Sequence, residues 1–178
     1  MKKGFFLLAI IASIVFAAIP DGAEYLIICP EEYVDEMEPL AYWKTQKGML
    51  TRITTLSETG SSSSEIRNYI ISTQTWSPAP KFILFVGDPS IINMVAGGST
   101  VYGTFYCDHY YEDLDGDIMR DVFIGRFPGN TSERIQVMVA KTLRYEKNPP
   151  SCGWLDKGCT VIWMETIPIQ YIRPIQTP

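Results

Sequence analysis

The densest group of residues able to do chemistry is Asp113-Leu-Asp115-Gly-Asp117-Ile-Met-Arg-Asp121. Carboxylates at the first, third, fifth and ninth positions of a tight loop can turn inward on one hard cation, because oxygen ligands at such intervals converge around calcium. The pattern is not an EF-hand. Its glycine stands fourth rather than sixth, and Ile124 holds the twelfth position, where that motif needs a bidentate glutamate. It suits a calcium loop between two strands, with Asp113, Asp115, Asp117 and Asp121 as ligands. The competing reading is a solvated acidic turn in which Asp and Gly serve backbone geometry. Four such carboxylates without a cation would raise one another's pKa values.

His109 is the single histidine, between Asp108 and Tyr110. A general base needs a nucleophile and an orienting partner held in geometry. Cys107 is two residues away, and two such residues on a strand share a face with no turn to align them, so His109 reads as a surface or rim residue. Of the four cysteines, Cys29 reads as a buried strand residue, with one or two of Cys107, Cys152 and Cys159 structural. In an oxidising compartment disulfides are open to them, and the sequence does not choose among the pairings. Gly87-Asp88-Pro89 closes an apolar run, at the end of a strand where open α/β sheets bind ligands. Asp88 is therefore either a residue of a substrate cleft or the cap of the turn that follows.

The elements that must position these groups begin after a leader. Lys2 and Lys3 precede an apolar run from Phe5 that ends in small residues, the pattern of a secretory signal peptide over residues 1–17 cleaved after Ala17. The run is shorter than the roughly 20 residues a membrane span needs. About 160 residues then remain, enough for one domain with a real core. The composition, 46% hydrophobic and 20% charged, is globular. Fifteen scattered basic residues against twenty acidic ones offer no cationic face to displace counterions from phosphates, which excludes nucleic acid as a partner.

EYLIIC predicts a buried strand ending at Pro30, with Pro30 at the first helical position. Pro39 predicts a break, a short turn of helix before it and a second helix after it, with Leu40 and Trp43 inward and Gly48 closing the end. MLTRITTL is a second strand. Ser62 and Glu65 form a capping box, with Ile66, Tyr69 and Ile70 as the apolar stripe of a helix ending near Trp76. KFILFVGD is a third strand and DVFIGRFP a later one. A last helix is capped by Asn130 and Glu133, buries Ile135, Met138, Val139 and Thr142, and stops at NPP. Asn130-Thr131-Ser132 also matches a glycosylation sequon, which the capping role explains more simply. The alternation of β and α implies an α/β three-layer sandwich with a mostly parallel sheet covered on both faces.

The ordered blocks YLIICPEEYVDEMEPLAYWKTQKG, SSSSEIRNYI, KFILFVGDP, YYEDLDGDIMRDVFIGRFP and KTLRYEKNPP resemble the amino-terminal half of the gingipain family of cysteine peptidases, over roughly residues 24–155. The resemblance implies a caspase-like fold, secretion or display at the cell surface, protein or peptide substrates, and endopeptidase chemistry in the full-length family. It also implies a dyad of a histidine in a Gly-His-Gly turn and a cysteine at the end of the next strand. This sequence has no Gly-His-Gly and no cysteine after Cys159. The expectation is therefore an incomplete unit, inactive alone, with a divergent tail over residues 156–178 left by truncation or a frameshift near Thr166. KGCTVIWM passes for the next strand, and Glu165 at its end is a candidate substrate-cleft residue. The alternative is an exported calcium-binding pseudo-enzyme or surface interaction module. Either way the membrane is met only through the leader, and an uncovered sheet edge is expected to favour association.

Overall fold

A computed structural model describes residues 22–151 together with Gly153, Lys157 and Gly158. The leader, Cys152, the CTVIWM part of the KGCTVIWM segment with its Cys159, and Glu165 lie outside the described residues. Strand β1 (Tyr25–Cys29) is followed by a 3-10 turn (Glu31–Tyr33) and helix α1 (Val34–Gln46). Then come β2 (Thr51–Thr55), the single turn α2 (Leu56–Thr59), α3 (Ser63–Thr73) and β3 (Phe82–Val86). A hairpin of β4 (Val95–Thr100) and β5 (Gly103–Cys107) leads to α4 (His109–Glu112), β6 (Phe123–Phe127) and α5 (Ser132–Lys147).

The main sheet has the order β2-β1-β3-β6 and every pairing in it is parallel. The period of two in a strand then divides the core cleanly. Leu26, Ile28, Ile83 and Phe85 face α3 and α4, packing with Ile66, Ile70 and Tyr111. Ile27, Cys29, Leu84 and Val86 face α1 and α5, packing with Met37, Leu40, Ile135 and Val139. This is the three-layer sandwich that continuous apolar strands require, since a strand apolar on both faces must be covered on both. Because α1 and α3 lie on opposite faces, the carboxyl ends of β1 and β3 flank the point where the winding reverses.

Local chemistry follows the sequence in most places. Ser62 and Glu65 form the reciprocal capping box, with Ser62 accepting from the Glu65 amide and Glu65 from the Ser62 amide. Gly48, at φ 91°, takes the left-handed position that ends α1. Four local expectations need correcting. The helix is not interrupted at Pro39, which sits within α1, on its exposed side, where water can serve the carbonyl left without a donor. The irregularity lies earlier, in the 3-10 turn that Pro30 precedes rather than enters. Helix α3 stops at Thr73, short of Trp76, although turns continue to Trp76. The cap of α5 is Thr131, whose hydroxyl accepts from the Arg134 amide, while Asn130 accepts from the Arg134 guanidinium instead.

The β4–β5 hairpin is antiparallel and separate from the main sheet. It carries exposed Val101, Tyr102, Phe105 and Tyr106. Among the described residues no helix is long and apolar enough to cross a membrane.

Candidate functional site

Of the residues singled out for chemistry, His109 and the four aspartates lie in the segment from Asp108 to Asp121, which packs through Tyr111 and Leu114 on the α3/α4 side of the sheet. Tyr111 anchors that segment. Its ring is fully buried, edge-on to Phe85 at 5.0 Å between centroids, and its hydroxyl donates to the Asn93 carbonyl at 2.6 Å. Behind it, Arg67 of α3 donates to the carbonyls of Tyr110 (3.0 Å), Asp113 (2.8 Å) and Leu114 (3.2 Å), so one guanidinium satisfies three acceptors of the loop.

Within the loop, Asp113, Asp115 and Asp117 each bring one carboxylate oxygen within 4.8 Å of the others. Asp121 does not join them. Its carboxylate accepts from the Leu114 amide at 2.7 Å and closes the base of the loop. The other three also accept loop amides: Gly116 and Ile118 donate to Asp113, Asp117 to Asp115, and Met119 to Asp117. These bonds orient the carboxylates through nested turns, with Gly116 (φ 88°) and Ile118 (φ 74°) in the left-handed region. An ionised carboxylate has about four lone-pair sites, so each can hold a backbone amide and still face a cation. The donor set is all hard oxygen, which fits calcium better than zinc.

His109 opens α4 rather than lying on a strand with Cys107, and its Nδ1 stands 3.5 Å from the Glu112 carboxylate. Cys107 ends β5, with its Sγ so close over Gly97 that a Cβ there would meet it at 2.7 Å. Cys29 belongs to the α1/α5 side of the sheet, whereas Tyr111 of α4 packs on the opposite side. Both described cysteines are free thiols. Burial pushes the Cys29 thiol up to about 12, with the Glu31, Glu36 and Glu58 carboxylates adding to the rise. Such a group is a poor nucleophile at neutral pH, because the thiolate is the attacking species.

Asp88 lies where the end of β3 predicts it. Its carboxylate accepts from the Ser90 amide (2.9 Å) and hydroxyl, and its carbonyl accepts from the Ile91 and Ile92 amides. The Ser90 hydrogen bonds hold its pKa below the usual carboxylate value. The capping role foreseen as one of two readings is present, in the turn that follows the carboxyl end of β3.

Three groups that organise this side were not picked out in the sequence. Arg126 of β6 forms a two-pronged ion pair with Asp108 at 2.6 and 3.0 Å. It also donates to the Gly87 and Ile92 carbonyls at 2.9 and 3.0 Å, with its guanidinium 5.2 Å from the Phe85 ring centroid. One side chain thus ties β6, the turn after β3 and the hairpin's exit together. Glu112, only 7% exposed, faces Arg120 at 3.0 Å and accepts from the Ile124 amide at 3.2 Å. Arg67 is the third. An arginine inside the apolar run VFIGRFP was the available signal, since a charge on a half-buried strand must find a partner.

This geometry defines a class: an α/β sandwich of the caspase-like kind, with a polar, loop-bearing margin on the α3/α4 side of its sheet. The model of peptidase family C25 matches residues 19–162, and the chain belongs to that family. Lys-gingipain of Porphyromonas gingivalis is 27% identical over 143 residues, covering 76% of this chain and 8% of the relative. Gingipain R2 of the same species is 24% identical over 137 residues, covering 72% of this chain and 17% of the relative. Among solved structures, the Arg-specific cysteine proteinase gingipain R (RgpB) superposes with TM-score 0.61 at 20% identity, over 72% of this chain and 29% of that one. The complex of RgpB pro- and mature domains gives TM-score 0.60 at 23% identity, over 68% of this chain and 29% of that one. The chain therefore spans less than a fifth of the length of these two curated relatives.

Proposed function

We propose that this chain is the amino-terminal scaffold of a secreted, gingipain-like cysteine endopeptidase, and that it does not hydrolyse peptide bonds by itself. The observation that carries the second half is the placement of its one imidazole. His109 is engaged with Glu112, while Cys29 faces the other side of the sheet with its thiol held protonated. Acyl transfer from a peptide needs a thiolate and a proton-shuttling imidazole within hydrogen-bond reach of one another. Family membership supports protein substrates for a full-length enzyme, and the charged-then-apolar leader supports export. The purified chain, assayed on mixed peptide substrates with and without a thiol reductant, is expected to give no turnover above buffer. Reproducible turnover that His109→Ala abolishes would overturn the proposal.

A second reading, an exported calcium-binding module that acts by interaction, is favoured by one observation: the three converging carboxylates of Asp113, Asp115 and Asp117. Bound there, calcium would neutralise mutually repelling charges and stiffen the loop. Calorimetric titration is expected to show saturable calcium binding that Asp115→Ala weakens at least about tenfold. Equal affinity in that variant excludes these residues as ligands.

A further inference from the structure

Among the described residues, the two outer strands of the main sheet are built differently. β2 reads Thr-Arg-Ile-Thr-Thr, a polar edge of the kind that resists pairing with another chain. β6 reads Phe-Ile-Gly-Arg-Phe, with Phe123 55% exposed and stacked on Phe82 at 5.8 Å between centroids. Apolar, β-prone and at an edge, β6 is the strand that calls for a neighbour.

Its hydrogen bonds show how far that edge is open. The Phe123 amide donates inward to Lys81, and the Phe127 carbonyl accepts inward from Gly87. Odd-numbered residues of β6 therefore bond to β3, and the even ones, Ile124 and Arg126, point their amides and carbonyls outward. The outward Ile124 amide is not free. It donates to Oε1 of Glu112 at 3.2 Å. The main-chain carbonyl of Glu112 accepts from the Asp121 and Val122 amides at 2.9 and 3.4 Å, and its other carboxylate oxygen faces Arg120 and His109. The carboxylate is thus wedged at the mouth of the edge, fixed from both sides.

We propose that Glu112 is a plug that closes the β6 edge against strand addition by a second copy of this chain. The edge is self-complementary. Two copies of β6 paired antiparallel about Gly125 would exchange the Ile124 and Arg126 amides and carbonyls, and would set each Phe123 opposite the other copy's Phe127. That pairing needs the Ile124 amide, which Glu112 occupies. Of the two outer strands described in the main sheet, the polar β2 offers no equivalent match, so β6 is the one whose isologous pairing needs blocking.

The test compares Glu112→Ala with Glu112→Gln in the full chain, because the glutamine amide oxygen can still accept the Ile124 amide. By light scattering across a concentration series, Glu112→Ala is expected to dimerise at roughly tenfold lower concentration than the parent, the scale of one exposed hydrogen-bonding group. Glu112→Gln is expected to follow the parent, and Ile124→Pro placed on Glu112→Ala, which deletes the outward N–H, is expected to restore the parent's behaviour. A folded Glu112→Ala that associates no more than the parent, or Gln and Ala variants that behave alike, overturns the proposal. Should Glu112→Ala fail to fold, hydrogen exchange on the unaltered chain decides: the plug requires a protected Ile124 amide beside a fast-exchanging Arg126 amide, and equally fast exchange at both refutes it.

Discussion

The stretch from β1 to β3 and the stretch from the hairpin to β6 are held together by different physics. In the first, residues 25–86, aliphatic side chains from three neighbouring strands meet α1 and α3, and Leu26, Ile27, Ile28, Ile66 and Ile70 are fully buried. Its helix ends are satisfied locally, as in the capping box of α3, and its long-range side-chain bonds, such as Trp43 and Lys44 to Glu146, join side chain to side chain rather than filling loop backbone. In the second, residues 95–127, the strands are half-exposed and the contacts that organise it are charged side chains reaching backbone far away in sequence. Arg126 reaches Gly87 and Ile92, Arg67 reaches Tyr110, Asp113 and Leu114, and Glu112 reaches Ile124. A regular element satisfies its own backbone and needs partners only for its apolar face. An irregular loop leaves carbonyls and amides that something else must satisfy.

That contrast can be broken most severely at the two points where the halves meet. Phe85→Ala removes the ring that supports both Tyr111 and Arg126, and is expected to cost about 3–5 kcal/mol in urea unfolding. Arg126→Ala is expected to cost a similar ~3–5 kcal/mol, because it leaves the Asp108 carboxylate unpaired. The paired replacement Arg126→Met with Asp108→Leu should recover much of that loss, since two apolar residues leave no uncompensated charge. A pair no more stable than Arg126→Ala alone would mean that the Gly87 and Ile92 carbonyls, rather than the ion pair, set the cost.

Arg67→Ala sharpens the comparison by acting on the second region alone. With three loop carbonyls losing a charged donor, a loss of about 1–3 kcal/mol is expected. Hydrogen exchange should accelerate over residues 113–121 while the β1 amides stay protected; uniform acceleration across both regions would show that they unfold as one unit. Ser62→Ala makes the converse cut within the first region, and the lost cap should cost about 1 kcal/mol.

The smallest effect at neutral pH is that of Cys29. Burial raises its thiol from 9.0 to about 12, so the folded state holds the proton more tightly than the unfolded chain. The sign follows directly. Stability is insensitive to this group below pH 9 and falls as pH rises from about 9 towards 12, where the unfolded chain ionises first. Urea melts between pH 8 and 11 should show the decline, and Cys29→Ala should flatten part of it. Tyr25, raised from 10.0 to about 12 by burial and the nearby Glu146 carboxylate, contributes in the same direction.

Much of the first region was legible because its elements answer to patterns of two and of three to four residues. β1, β2, β3, α3 and Gly48 all stand within a few residues of their predicted places. The break expected at Pro39 was misplaced for a local reason: a proline on a helix's exposed side loses one bond that water can replace. The hairpin escaped notice because its strands, VAGGST and GTFYC, are rich in Gly and Thr and do not alternate in polarity. At the candidate site, the spacing of Asp113, Asp115 and Asp117 announced their convergence, but Asp121 carries the same spacing logic and serves a different bond.

The sequence by itself determined the layered α/β architecture and the family, because periodic burial and the order of strand and helix blocks are one-dimensional properties. It also determined that a thiol–imidazole dyad could draw on only one imidazole and four thiols of this sequence. Only the tertiary structure decided that His109 faces Glu112, that Cys29 lies on the other side of the sheet, and that Asp121 closes the loop without joining the carboxylate cluster. It alone revealed the Arg126–Asp108 pair and the plug at β6. The reason is physical: each of these rests on a side chain finding a backbone group or a charge that folding, rather than sequence spacing, brings within about 3 Å.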